Sequence, residues 1–120
     1  MPTPYERFER IADREFADCV KSSEWVGKRS LGSCKLRLWL RDGSFLDIWL
    51  SPTRKYSYHW ERRRQSGQIY RFDNAPDHPR LPTHPHHFHD GDDQTVRASR
   101  FPKLPVDQLR FVLRFVRENL

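Results

Sequence analysis

Lys35-Leu36-Arg37-Leu38-Trp39-Leu40-Arg41-Asp42-Gly43-Ser44-Phe45-Leu46-Asp47-Ile48-Trp49-Leu50 is the stretch from which the fold can be read. Leu36, Leu38 and Leu40 alternate with Lys35, Arg37, Trp39 and Arg41, the period of a strand with one buried face. Asp42-Gly43 follows, and the two central residues of a type I′ turn need the positive φ that this pair tolerates. Past the turn, Leu46, Ile48 and Leu50 alternate with Phe45, Asp47 and Trp49. Strands are therefore predicted at about 34–41 and 44–51, with both leucine-rich faces on one side. That side needs a cover.

The two ends of the chain supply it. Thr3-Pro4-Tyr5-Glu6 places Thr at the N-cap, Pro at N1 and Glu at N3, a capping box with the favoured proline. Phe8, Ile11, Ala12, Phe16, Cys19 and Val20 then recur at helical spacing, which predicts a helix over about 4–21. Pro105 opens a second helix to about 119, with Val106, Leu109, Val112, Leu113, Val116 and Leu120 as its apolar stripe. Between the ends, Tyr56, Tyr58 and Trp60 alternate with Ser57, His59 and Glu61. A turn at 63–67 leads into Gln68 to Asp73, so a second hairpin is predicted at about 54–62 and 68–73. Trp25-Val26-Gly27 with Leu31, and Thr95 to Ser99, are weaker strand signals. Residues 74–94 read as one long loop. The expected fold is a single α+β domain over 1–120: an antiparallel sheet of four to five strands, with the N- and C-terminal helices packed on one face.

Composition narrows the class. In 120 residues, 36% are hydrophobic and 13% aromatic, enough for a small packed core. Lys and Arg outnumber Asp and Glu by 22 to 16, a net charge of +6 that favours an anionic partner. No apolar run is long enough for a membrane span, and the N-terminus lacks a signal-peptide core. Cys19 and Cys34 are expected to stay reduced in a cytoplasmic protein. There is no Gly-rich phosphate loop, nucleophile elbow, Cys–His pair or calcium-loop spacing, which makes those enzyme classes improbable.

Chemistry concentrates in two places. Four of the six histidines fall in Thr83-His84-Pro85-His86-His87-Phe88-His89, with His78 nearby. Imidazole both ligates metals and titrates near neutrality. His84, His86, His87 and His89 are therefore candidates for a divalent metal, or His86, His87 and His89 for acid–base work. A proline-stiffened loop with scaffold histidines is the plain alternative, and the spacing matches no zinc signature. The second hairpin is the other place. With its turn near Gln65, His59 falls opposite Arg71 and Ser57 opposite Asp73. Ser57, His59, Glu61, Ile69, Arg71 and Asp73 then share one face, and a base, a phosphate clamp and an orienting carboxylate could cleave a phosphodiester. An ordinary solvated face with charge pairs has the same pattern. Arg62, Arg63 and Arg64, with Arg110, Arg114 and Arg117 on the last helix, are candidates for binding nucleic acid or an acidic partner.

Tyr70-Arg71-Phe72-Asp73-Asn74-Ala75-Pro76-Asp77-His78-Pro79, continuing to Thr83-His84-Pro85-His86-His87-Phe88-His89, resembles the TumE family, toxins of small toxin–antitoxin modules. Members carry a similar Arg-aromatic-Asp-Asn-Ala-Pro segment and then Pro-His-His-x-His, and Tyr56-Ser57-Tyr58-His59 is similar to their Tyr-x-Tyr-His strand. Members often have His-His-Pro where this chain has Asp77-His78-Pro79, and an aromatic residue where it has His84. The matching positions are His59, Arg71, Asp73, Asn74, His78, His86, His87 and His89, with Asn74, Pro76 and His78 shaping the site. The resemblance implies a growth-inhibiting toxin encoded beside an antitoxin, often one with a DNA-binding fold. Together with the polar face, it leads to the expectation of a ribonuclease acting on cellular RNA and silenced by an acidic antitoxin segment. The alternative is a non-enzymatic toxin or regulator that binds through its basic surface.

Overall fold

In the computed structural model, which describes residues 3–27 and 34–120, Thr3 caps α1 (Pro4–Glu15) as the sequence predicts. Glu6 N donates to Thr3 Oγ1 at 3.2 Å, and Thr3 N donates to Glu6 Oε2 at 3.3 Å. Thr3→Ala removes an acceptor for an otherwise unpaired helix N–H. It is expected to lower stability by about 1 kcal/mol in urea unfolding.

The helix ends five residues before Val20, not at Lys21. Phe16 is its C-cap, and Val20 N donates to Phe16 O at 2.8 Å. Val20-Lys21-Ser22-Ser23 is a weak helix former, and the chain gains more by adding β1 (Val20–Val26) to the sheet edge. Phe16, Cys19 and Val20 are still buried as predicted, through the turn and strand rather than a helix face. Leu31 lies outside the described residues.

From there the chain is a meander: β2 (Lys35–Leu40), β3 (Phe45–Leu50), β4 (Tyr56–Arg62), a one-turn helix α2 (Arg63–Ser66), β5 (Gln68–Asp73), β6 (His87–Gly91), β7 (Val96–Ala98) and α3 (Pro105–Asn119). The seven strands lie in sequence order in one antiparallel sheet. The expected sheet of four to five strands is corrected to seven. Gly43 (φ +86°) and Gly67 (φ +76°) turn the two hairpins, conformations open to glycine at little cost.

The strand missed outright is β6, inside the predicted loop of 74–94. His87-Phe88-His89 alternates as a strand does, but its polar members are histidines and only Phe88 is apolar. Phe88 stacks on Phe72 at 4.4 Å between ring centroids. Pairing with β5 thus satisfies the backbone and extends the core.

Both long helices cover the leucine face. Phe8 and Ala12 of α1 and Leu109, Val112, Leu113 and Val116 of α3 form one buried cluster with Leu36, Leu38, Leu40, Leu46, Ile48, Tyr58 and Trp60. The polar atoms in this core are satisfied: Tyr58 Oη donates to Gln108 Oε1, and Trp60 Nε1 to Ser44 Oγ, each at 2.9 Å. Arg110 clamps Glu15 through two bonds of 3.0 and 2.8 Å, and Arg117 clamps Asp18. Among the described residues no helix lies on the opposite face of the sheet.

Candidate functional site on the open sheet face

The strand register lines titratable residues up in one transverse row. Glu24, Arg37, Asp47, His59, Arg71 and His89 are successive cross-strand partners from β1 to β6. A neighbouring row on the same face runs Trp49, Ser57, Asp73, His87. The predicted pairings His59 opposite Arg71 and Ser57 opposite Asp73 are those observed. Ile69, read onto this face, is buried.

Asp73 is the hub. Its Oδ1 accepts from Ala75 N at 2.9 Å and faces His87 Nε2 at 3.0 Å. Its Oδ2 accepts from Arg71 Nε at 3.2 Å and lies 3.6 Å from His89 Nε2. Next along the chain, Asn74 accepts from Tyr56 N and donates to Arg54 O, tying the loop to the start of β4. With Pro76 following, the Asp-Asn-Ala-Pro segment is a turn held by its own side chains. Arg71 also reaches Asp93 Oδ1 and His89 Nε2, each at 3.4 Å.

His59 pairs with Glu61 Oε1 at 3.2 Å. Burial pushes its pKa below the free-imidazole value of 6.5, against the Glu61 hydrogen bond that pulls it up, and the Arg71 charge lowers it further. The unfolded chain therefore binds more protons near pH 6, and stability rises with pH there. Stability falls as pH drops below about 6.5, and His59→Gln is expected to narrow the difference between urea midpoints at pH 7.5 and 5.5.

The histidines of the predicted cluster separate. His87 and His89 sit beside Asp73 and Arg71, brought there by strand pairing rather than by a loop folding back. His78, from the segment before β6, packs edge-on to His87 at 4.7 Å between centroids. His86 points the other way: it stacks on Tyr56 and shares a 2.8 Å hydrogen bond with its hydroxyl. His86 stands one residue before β6 and faces away from His87, the first residue of the strand. His84 is exposed.

The basic residues are less available than their number suggested. Arg62 stacks over Trp60 at 4.4 Å and donates to Asn119 O, and Arg63 pairs with Glu61 and Asp93. Arg110 and Arg117 hold the end of α1, which leaves Arg64 and Arg114 as the exposed members without a bonded acid among the described residues.

Two open hollows adjoin on this face. One, of about 370 Å³, is lined by Lys55, Ser57, Arg71, Asp73 and His89 among others. The second, of about 290 Å³, is lined by Lys35, Asp47 and His59, and both share Trp49 and Ser57. Lys35, Lys55 and Trp49 were not among the predicted site residues. The alternation that placed Asp47 on the polar face already placed Trp49 and Lys35 beside it, but the Lys55 contribution depends on how the β3–β4 turn bends.

A single seven-stranded antiparallel sheet with helices on one face and a His/Arg/Asp surface on the other is the class of protein seen here. Residues 9–120 match the family model described as Toxin TumE, so the chain belongs to the TumE family of toxins. Membership of a toxin family implies a cognate antitoxin as partner. Neither the curated proteins nor the solved structures contain a match. No helix among the described residues is long and apolar enough to cross a membrane.

Proposed function

We propose that the protein is a toxin that cleaves RNA on the open sheet face. What carries this reading is the convergence of His59, Arg71, Asp73 and His89 on two adjoining hollows that share Trp49 and Ser57. Trp49, half-buried between the hollows, offers a ring on which a base can stack, and Lys35 and Lys55 hold flanking phosphates. Arg71 clamps the scissile phosphate, held in place by Asp73. With Nε2–H directed at Glu61, His59 keeps Nδ1 as the base. It takes the proton of a ribose 2′-hydroxyl, the 2′-oxygen attacks phosphorus, and the P–O5′ bond breaks. The products are a 2′,3′-cyclic phosphate and a 5′-hydroxyl, whose proton comes from solvent water reaching the leaving oxygen on the far side of Arg71. His59 and His89 are two strand spacings apart, about 9.6 Å between backbones, which leaves room for a phosphate between them.

The test is expression of wild type, His59→Ala and Arg71→Ala, followed by growth curves and total-RNA profiles, with folding checked by circular dichroism. Wild type should arrest growth and degrade RNA into fragments with cyclic-phosphate ends, and both variants should do neither. Folded variants that stay toxic while RNA remains intact would replace this reading with a binding toxin. The pairing of Arg110 and Arg117 within the fold weighs against that alternative, because it neutralises much of the basic stripe.

A further inference from the structure

We infer that His78, His87 and His89 form a binding site for one divalent first-row transition-metal ion, zinc foremost, with the Asp73 carboxylate at its side. The site stands on side-chain placement alone and goes beyond the cleavage reading.

One ligand atom from each of the three imidazoles lies within 4.8 Å of the others. The two strand histidines are oriented as ligating histidines are. His87 Nδ1 lies 3.0 Å from Pro85 O, and His89 Nδ1 lies 3.3 Å from Asp93 O. A ring nitrogen facing a carbonyl carries the proton, so Nε2 is left with its lone pair, and such backbone partners are the usual outer support of metal-bound histidine. Both Nε2 atoms then face Asp73, at 3.0 and 3.6 Å. A lone pair against a carboxylate repels unless a cation lies between them. The Arg71 guanidinium answers this for His89, with Nη2 at 3.4 Å from Nε2, whereas His87 Nε2 has no such donor among the described residues. Two ligand atoms bound at about 2.0–2.1 Å around tetrahedral zinc stand about 3.3 Å apart. The two histidine–Asp73 separations, each to a different carboxylate oxygen, bracket that value. The three imidazole atoms, within 4.8 Å of one another, draw in to reach it.

The surroundings suit a resident ion. His87 is 1% exposed and His89 is 6% exposed, so the rings are held by packing before any ion arrives. His78 is half-buried and sits where the loop meets solvent, which gives an entry path. Imidazole with one carboxylate selects zinc and its transition-metal neighbours over magnesium or calcium, which prefer oxygen. The ion's own role does rest on the cleavage reading: water bound to it, next to Arg71, would supply the proton that the leaving 5′-oxygen needs.

The experiment uses the full chain without a purification tag, stripped with chelator and titrated with zinc by calorimetry and with cobalt by visible absorption. One equivalent should bind, cobalt should give the bands of a low-coordinate nitrogen–oxygen site, and zinc should raise the melting temperature. His78→Ala, at a half-buried position that spares the core, should weaken binding by about 10- to 100-fold or more. His84→Ala should leave it unchanged. Absence of saturable binding by either metal would mean an imidazolium–carboxylate pair alone and would overturn the site. So would a loss in His84→Ala as large as that in His78→Ala. Binding is read without any assay of RNA or growth, so a non-catalytic toxin could still pass, and a metal-free nuclease would fail.

Discussion

His59→Ala is expected to slow RNA cleavage by the purified protein by roughly 10²- to 10⁴-fold, the usual worth of one positioned base. Its pH profile provides a second readout that loss of folding would not imitate. The base must be neutral, and burial holds His59 below 6.5. The wild-type rate should therefore fall as pH drops through a value under 6.5 and stay level above it. Glu61 pulls that value up through its hydrogen bond, so Glu61→Gln should move the acid limb lower still while leaving the neutral-pH rate largely intact. A limb that rises above 6.5, or one unmoved by Glu61→Gln, would take the role of base away from His59.

Asp73→Ala should be the most destabilising change on this face, by about 3 kcal/mol or more. Two donors depend on this carboxylate, Ala75 N and Arg71, and the Nε2 atoms of His87 and His89 are packed against it. Deleting one member of a largely buried charged set leaves its partners unpaired, and that cost exceeds the net worth of the pairing itself. Asp73→Asn keeps the shape and one acceptor oxygen and should cost about half as much. Equilibrium urea unfolding of the two variants against wild type measures both. If Asp73→Ala lost no more than a surface substitution, within about 0.5 kcal/mol, the hub would carry no structural weight.

The polar face was legible in the sequence to the extent that alternation governs it. Once Gly67 and the run before it are read as a turn, the cross-strand pairs His59–Arg71 and Ser57–Asp73 follow from counting, and the structure has both. The histidine segment was not legible in the same way. Its residues were read as loop chemistry because histidine and proline dominate, and a strand carried by Phe88 alone gives no period to detect. That single misreading put His86 into the cluster, whereas its ring, just before β6, sits against Tyr56 on the opposite side. It also left His78 as a shaping residue although its ring meets His87.

What the sequence determined by itself is local: the cap at Thr3, the Asp42-Gly43 hairpin, the leucine face that needs covering, and the alternation that sorts His59, Arg71 and Asp73 from the aromatics. Each of these depends on residues a few positions apart, whose geometry is fixed by the backbone period. Only the tertiary structure decided that β6 and β7 extend the sheet, that Val20 to Val26 leave the helix, and that Arg110 and Arg117 are occupied by α1. Those outcomes join residues far apart in the chain, such as Arg117 and Asp18. They are settled by the competition for backbone partners at the sheet edges and for acids near α3, which no window of sequence contains.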